Sequence, residues 1–258
     1  MANYYFLATL LPPLKVGSPV ELGSRELEFL LEQNLTSKDL ELVAVLKLLI
    51  DLNNIRALWQ KQPFAPGGNI DQYELEERLF FKEKLPEYVL DYLELHQDPK
   101  ELLNNFPSIL HSYFAKESLN SDLFLQHYLT FEWQWRLVFV ALRAHDLKRD
   151  LEKELAYEDL ENPFVLELLA ASREKTFTPP APYTDLKAIY EARKNAPLDL
   201  YQALSQWRFN YIEEYIEWEN FSIERILGYV AQVELCEEWL QLDKLKGLEI
   251  VEEMMEVV

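Results

Sequence analysis

Apolar positions along this chain recur at the spacing of helices. Leucine, isoleucine, valine or an aromatic residue returns every third or fourth position over long runs, which gathers these side chains on one side of an α-helix. Period-two alternation bounded by glycine-rich turns is not sustained anywhere, so the pattern predicts an all-α chain. Helices are expected over residues 24–34, 36–62, 71–81, 86–96, 99–116 with an irregularity at Pro107, 121–155, 185–194, 197–219, 222–242 and 248 to the end. Ser24, Thr36 and Asp71 stand at cap positions, and Pro63 with Pro66-Gly67-Gly68-Asn69 stops the second helix. The opening segment, residues 4–11, reads as extended. No Lys or Arg precedes it and Pro12-Pro13 ends it, so it is too short to span a membrane and lacks the basic start of a signal peptide.

Three of these helices are apolar on nearly every side except for one hydrophilic seam. In the first, Leu46, Leu48, Leu49, Ile50, Leu52 and Ile55 surround Lys47, Asp51 and Asn54, which fall at i, i+4 and i+7 and share a face. In the second, Leu137 to Leu142 is continuous grease, while Glu132, Arg136 and Arg143 form the seam. In the third, Ile226, Leu227, Val230 and Val233 accompany Glu234, Glu238 and Gln241. A helix apolar all round is normally buried among others, so the chain is expected to hold about three diverged copies of one helical unit. The seams are either solvated faces and internal ion pairs or groups offered to a cavity or partner; charges left alone in a core are too costly for any third arrangement. Pro179, Pro180 and Pro182 mark residues 177–184 as a linker. The expected divisions are an N-terminal unit 1–97, a middle unit 98–176 and a C-terminal unit 185–258, folding as one cooperative domain.

Composition narrows the function classes. The 258 residues are 49% hydrophobic, with 6 glycines and a formal net charge of −20. Such acidity repels phosphate backbones and anionic bilayers, so neither nucleic acid nor direct membrane insertion is expected. The single cysteine, Cys236, excludes an internal disulfide framework and reads as a small core residue among acids, in keeping with a reducing compartment.

A resemblance adds to this. Asp51-Leu52-Asn53-Asn54-Ile55-Arg56-Ala57-Leu58, followed by a glycine-containing loop, resembles a helix of the C-type stalk subunit of bacterial and archaeal V/A-type ATPases, the homologue of the eukaryotic V-type d subunit. The run from Phe221-Ser222-Ile223-Glu224 through Tyr229 to Glu234, then Lys246-Gly247-Leu248-Glu249, is similar to that family's closing segment. The opening Tyr4-Tyr5-Phe6-Leu7 to Leu11-Pro12-Pro13-Leu14 looks more like a bacterial branch encoded beside V/A-type ATPase subunits. The resemblance implies diverged helical repeats forming a funnel-like bundle of the V-type ATPase C/d kind, a non-catalytic part of the central stalk that couples the stalk to the membrane rotor ring during proton or sodium transport. Its partners would be the other rotary ATPase subunits, and its location cytoplasmic and peripheral to the membrane through them. Asp51, Asn54, Arg56, Arg136, Arg143 and Glu234 are then the candidate partner-binding residues. The alternative is a stand-alone helical adaptor, or an assembly or regulatory factor.

Catalytic signatures do not compete. The four histidines, His96, His111, His127 and His145, lie in no Glu-x-x-His or His-Glu-x-x-His pattern. Gly67-Gly68 lacks the strand and the Lys-Ser/Thr of a phosphate loop. Carboxylate pairs such as Glu76-Glu77, Glu213-Glu214 and Glu252-Glu253 are what so acidic a composition produces. No enzyme activity, cofactor or metal is expected.

Overall fold

The computed structural model describes residues 4–119, 122–219 and 221–256, with residues 243–256 described by their backbone alone. Every regular element among them is a helix: α1 (Tyr5–Leu10), α2 (Ser24–Asn34), α3 (Ser37–Gln60), α4 (Gln72–Phe81), α5 (Glu87–Leu95), α6 (Pro99–Asn104), α7 (Phe106–Glu117), α8 (Leu123–Asp146), α9 (Leu151–Glu154), α10 (Pro163–Ser172), α11 (Asp185–Arg193), α12 (Pro197–Ile216) and α13 (Ile223–Glu256). The all-α expectation holds. Local chemistry sets many of the starts: the side chains of Asp71, Asp98, Asp122, Asp150 and Asn162 each accept a hydrogen bond from a backbone N–H of the first turn they precede. Proline stands in the first turn of α6, α7, α10 and α12, where its missing N–H costs nothing.

Four expectations need correction. The opening segment is helical, because Tyr4 and Leu7, three residues apart, are both buried and draw one side of α1 onto the protein. The helix expected over 121–155 ends at Asp146 and resumes as α9, with Lys148 between them at a left-handed φ of 54°; the beginning expected at Ser121 lies outside the described residues. Residues 163–172 form α10, a helix absent from the sequence expectations. Beyond Ser222 there is one helix, α13, and not two. Gly247 falls inside it, since a glycine in a helix interior costs only about 1 kcal/mol. The side chains of Lys246-Gly247-Leu248-Glu249 and of Glu252-Glu253 lie outside the described residues.

The chain divides into two units, residues 1–43 with 189–258, and residues 44–188. In the first unit α12 packs along α13, and Ile212, Ile216, Ile226, Leu227, Val230 and Cys236 are buried. Burial, then the charge of Glu237, pushes the Cys236 thiol up to about 11, the inert core role expected of it. Helix α2 is tied to α13 at its first turn: the backbone N–H of Ser24 donates to Glu237 Oε1 at 2.7 Å, and the Ser24 hydroxyl donates to the other oxygen of the same carboxylate. Tyr229 of α13 donates to the carbonyl of Pro12 at 3.0 Å. Gly17, at φ +80°, lies under the Trp239 ring, where a Cβ would stand 3.1 Å from the indole.

In the second unit α8 is the central helix, packed by α7, α9 and α10. Leu125, Leu129, Val138 and Ala141 of α8 are completely buried with Val165 and Leu168 of α10. Residues 177–184 belong to this unit and do not join it to the other. Phe177, Pro179, Pro180 and Tyr183 are buried; Lys187 Nζ donates to the Phe177 carbonyl at 2.6 Å and the Tyr183 hydroxyl to Gln134 Oε1 at 2.7 Å. Proline ends a helix, yet its apolar ring brings no N–H into the core that needs a partner, so a proline-rich stretch can be packed as easily as exposed. Among the described residues no helix is long and apolar enough to cross a membrane.

The Ser24–Glu237 tie spans most of the sequence within the first unit. Glu237→Ala removes two acceptors from the start of α2 and is expected to lower stability by about 1–2 kcal/mol. Glu237→Gln, which keeps one carbonyl oxygen, is expected to lose less; urea midpoints of the two variants check this.

Candidate partner-binding site

The seam of α3 is used inside the chain. Asp51, buried, accepts from Asn69 Nδ2 at 2.8 Å and lies 3.4 Å from the backbone N–H of Ile70. One turn along, the Asn54 amide pairs both ways with the backbone of Ala65: Nδ2 donates to the carbonyl at 2.9 Å and Oδ1 accepts from the N–H at 2.8 Å. Together they hold the loop of residues 62–70 against the helix. Gly68 is required by this closeness, since a Cβ there would sit 2.2 Å from Asp51 Oδ1. Burial dominates the Asp51 carboxyl and raises its pKa to about 6, against the lowering effects of Asn69, the Ile70 N–H and Lys47. Asp51 and Asn54 therefore act by shaping the end of α3 and setting the position of Arg56, two residues further on.

Arg56 of α3 and Arg136 of α8 both lie against aromatic rings. The Arg56 guanidinium lies over the Phe106 ring at 5.1 Å, and Arg136 lies over Phe114 at 5.4 Å and Trp135 at 5.0 Å. Helix α7 supplies both phenylalanines, eight residues apart, so each cation rests on its own ring of the same helix. Arg136 Nη1 donates to Glu132 Oε2 at 2.6 Å, and Glu132 has no solvent exposure at all. Arg56 is exposed on its outer side, and no carboxylate among the described residues lies within ion-pair distance of it. Its pKa is held below the ordinary arginine value first by burial of part of the group and then by the like charge of Arg136, while both remain protonated. Two guanidiniums on aromatic faces, balanced by one internal carboxylate, form a local basic site in a strongly acidic chain. A second carboxylate from outside would relieve their repulsion and be held by the forked geometry that arginine gives.

The remaining candidates lie elsewhere along the chain. Arg143, exposed and seven residues beyond Arg136 on α8, lines a shallow hollow with Val140, Leu147 and the Arg149–Glu154 ion pair. Glu234 is half-buried on α13 of the first unit. In that same seam Glu238 accepts from the Tyr201 hydroxyl of α12 at 3.0 Å. Trp135 stands beside Trp133 in the sequence as an aromatic cluster that is either a binding platform or core, whereas Phe106 and Phe114, which carry the cations from α7, look like any core residue at helical spacing.

Comparison with known proteins places the chain. Residues 1–258 match the family described as "Protein of unknown function (DUF2764)". The chain belongs to this family. Its relatives include an "Uncharacterized protein" of Chlamydia muridarum, 28% identical over 90% of this chain and 89% of its own length. A Chlamydia pneumoniae protein is 27% identical with the same coverage, and one of Chlamydia trachomatis is 26% identical over 96% of each chain. No solved structure matches.

The chain holds one more polar cluster in its second unit. His111 Nδ1 and Trp133 Nε1 each lie 2.9 Å from Glu158 Oε2, and the hydrogen bond to Glu158 is the chief reason the His111 pKa is raised. This fastens the segment after α9 onto α7 and α8. Among the described residues no group of His, Cys, Asp and Glu is arranged to hold a metal ion.

The two arginines are expected to respond differently to truncation. Arg136→Ala leaves the Glu132 carboxylate in the core without its guanidinium and is expected to cost about 3–5 kcal/mol. Arg56→Ala, at an exposed group, is expected to cost less than about 1 kcal/mol by the same denaturation measurement. For Asp51 the folded pKa is raised, so between about pH 4 and pH 6 the folded state keeps a proton that the unfolded chain has lost. Stability contributed by this group therefore falls as pH rises through that window. Melting temperatures of Asp51→Asn, which cannot titrate, are expected to show a flatter pH dependence there than those of the parent chain.

Proposed function

We propose that this protein is a non-catalytic, protein-binding component of a rotary V/A-type ATPase, a stalk subunit of the C/d kind, and that it joins the central stalk to the membrane rotor ring. The observation that carries the proposal is the Arg56–Arg136 pair. Its two cations are gathered on the rings of α7, one of them exposed, in a chain with 45 acidic and 25 basic residues. So acidic a surface repels most acidic partners. A basic point within it selects where an acidic group of a partner can dock, giving the contact one register.

The helix bearing Arg56 is also the segment that resembles a helix of the V/A-type C subunit. Asp51 and Asn54 of that segment are engaged with the loop after it, and Arg56 is its outward-facing member. The function asks for rigidity under torque and for no bond chemistry. Long helices with internally bonded seams supply stiffness, and aromatic-backed arginines supply a charge lock that resists sliding. The funnel of diverged repeats and a peripheral position on the membrane through partner subunits belong to the same proposal.

The test is recovery of the tagged full-length chain from detergent-solubilised membranes of the source cells, with associated proteins identified by mass spectrometry. Stalk and ring subunits of the ATPase are expected with the parent chain. Arg56→Glu, whose melting temperature should be unchanged, is expected to reduce their recovery at least about tenfold, the loss that about 1.4 kcal/mol of binding energy produces. A parent chain that brings down none of these subunits would sink the proposal, and a different and reproducible set of proteins would favour the free-standing adaptor. Equal recovery by Arg56→Glu would remove the arginine pair as the docking point.

A further inference from the structure

The first unit carries an aromatic surface of a different character. Helix α1 turns Tyr4 and Leu7 inward, which leaves Tyr5, Phe6 and Leu10 outward and exposed. The Tyr5 ring packs on Phe221 with centroids 4.7 Å apart, and the backbone N–H of Tyr4 donates to the Phe221 carbonyl at 3.0 Å. The turn between α12 and α13 is thereby fixed beside α1. In that turn Trp218 is 82% exposed and Phe221 partly so. Large aromatic side chains gathered at one exposed place mark an interaction surface more often than isolated ones do.

The surface continues into a trough. Ala8 and Leu11, on either side of the exposed Leu10, line a depression of about 420 Å³ with Pro13, Phe209 and Tyr229, and that volume suits one or two anchoring side chains. At its polar edge Glu213 accepts from Gln232 at 2.8 Å and lies 3.6 Å from Arg225. The turn beside the aromatics is acidic, and Arg225 at the trough edge is already set against Glu213. Glu213, Glu214, Glu217, Glu219 and Glu224 fall between residues 213 and 224, where there is no Lys or Arg, and residues 1–10 carry no charged side chain.

We infer that this surface is a docking site for a basic amphipathic helix of a partner protein. Its apolar face lies across Phe6, Leu10 and Trp218 with one side chain in the trough, and its lysines or arginines face Glu214 and Glu217. Charge decides the occupant. A second copy of this chain would set these glutamates against their own kind, and an anionic bilayer would be repelled by them. A helix that offers apolar residues with period 3.6 and a basic flank satisfies both features at once. The inference uses neither the arginine pair nor the ATPase assignment, so it stands or falls alone.

The experiment uses the full chain and a labelled peptide of leucine and lysine, roughly five helical turns long, patterned to be amphipathic. A peptide of the same composition, scrambled to have no apolar face, serves as control, and binding is read by fluorescence anisotropy at about 0.15 M salt. The patterned peptide is expected to bind at least about tenfold more tightly than the scrambled one. The double variant Phe6→Ala with Trp218→Ala is expected to lose about tenfold, the scale of a truncated interface anchor, and so is Glu214→Lys with Glu217→Lys. Tyr73→Ala with Phe80→Ala, which removes exposed aromatics of α4 in the other unit, should leave the affinity unchanged. All these positions are exposed, so circular dichroism melts should match the parent. Equal binding of the two peptides, insensitivity to the Phe6 and Trp218 changes, or equal loss in the Tyr73 and Phe80 control would overturn the inference. Self-association of the parent chain that the Trp218 variant abolishes, or binding to anionic vesicles with the same dependence, would overturn it in favour of the other occupant.

Discussion

A polar group on a buried helix must find a partner, and this requirement organises the second unit. Helix α3 is apolar enough to be a core element, yet it carries Asp51 and Asn54. An unsatisfied carboxylate or amide in that position costs more than most single packing contacts return. The chain answers with its own backbone: the loop of residues 62–70 folds back and presents Asn69, Ile70 and Ala65 to the seam. On α8 the same requirement is met by charge, with Arg136 set against the fully buried Glu132. Two seams of the same design are therefore closed by different chemistry.

Much of the helical framework was legible because it rests on local signals. Asp71 caps α4, proline and glycine stop α3 where expected, and the greasy faces of α3, α8 and α13 are buried. The failures share a physical origin in tertiary context. Residues 4–11 look extended until Tyr4 is tied to Asp39 and Phe221, contacts distant in sequence. Residues 177–184 look like a linker because proline reports where helix stops and says nothing of burial. The start of α10 did have a readable signal, Asn162 followed by Pro163, a cap and a first-turn proline, and it was obscured by the charged, irregular stretch before it.

The site was legible in its members and not in its grouping. Asp51 and Asn54 stand out as polar residues in grease, and Arg136 as the cation opposite Glu132. Nothing in the sequence says that Arg56 and Arg136 rest on one helix, because it is α7 that offers Phe106 to the first and Phe114 to the second. Eight residues set the two rings about 12 Å apart along the helix axis and about 80° apart around it, so each takes its own cation. Similarly, the seam of α13 resembles the others as text, yet Glu238 is engaged by Tyr201.

The arginine pair also bears on why α7 is built of rings at those positions. Aliphatic side chains would fill the same volume, but they offer a guanidinium no favourable face; Arg136 would keep Glu132 and the Trp135 ring, and Arg56 would lose its ring. Rings add a directional attraction worth about 0.5–2 kcal/mol at partly desolvated sites, enough to offset part of the burial cost that lowers the Arg56 pKa. Replacing Phe106 by leucine would thus keep the packing volume approximately while loosening Arg56 from its place. A partner's carboxylate would then meet a mobile cation in place of a positioned one, and the cost would fall on binding with little change in folding. That separation of binding from stability is the mark of a residue that positions a docking group, and it distinguishes Phe106 from the purely structural aromatics of the same core.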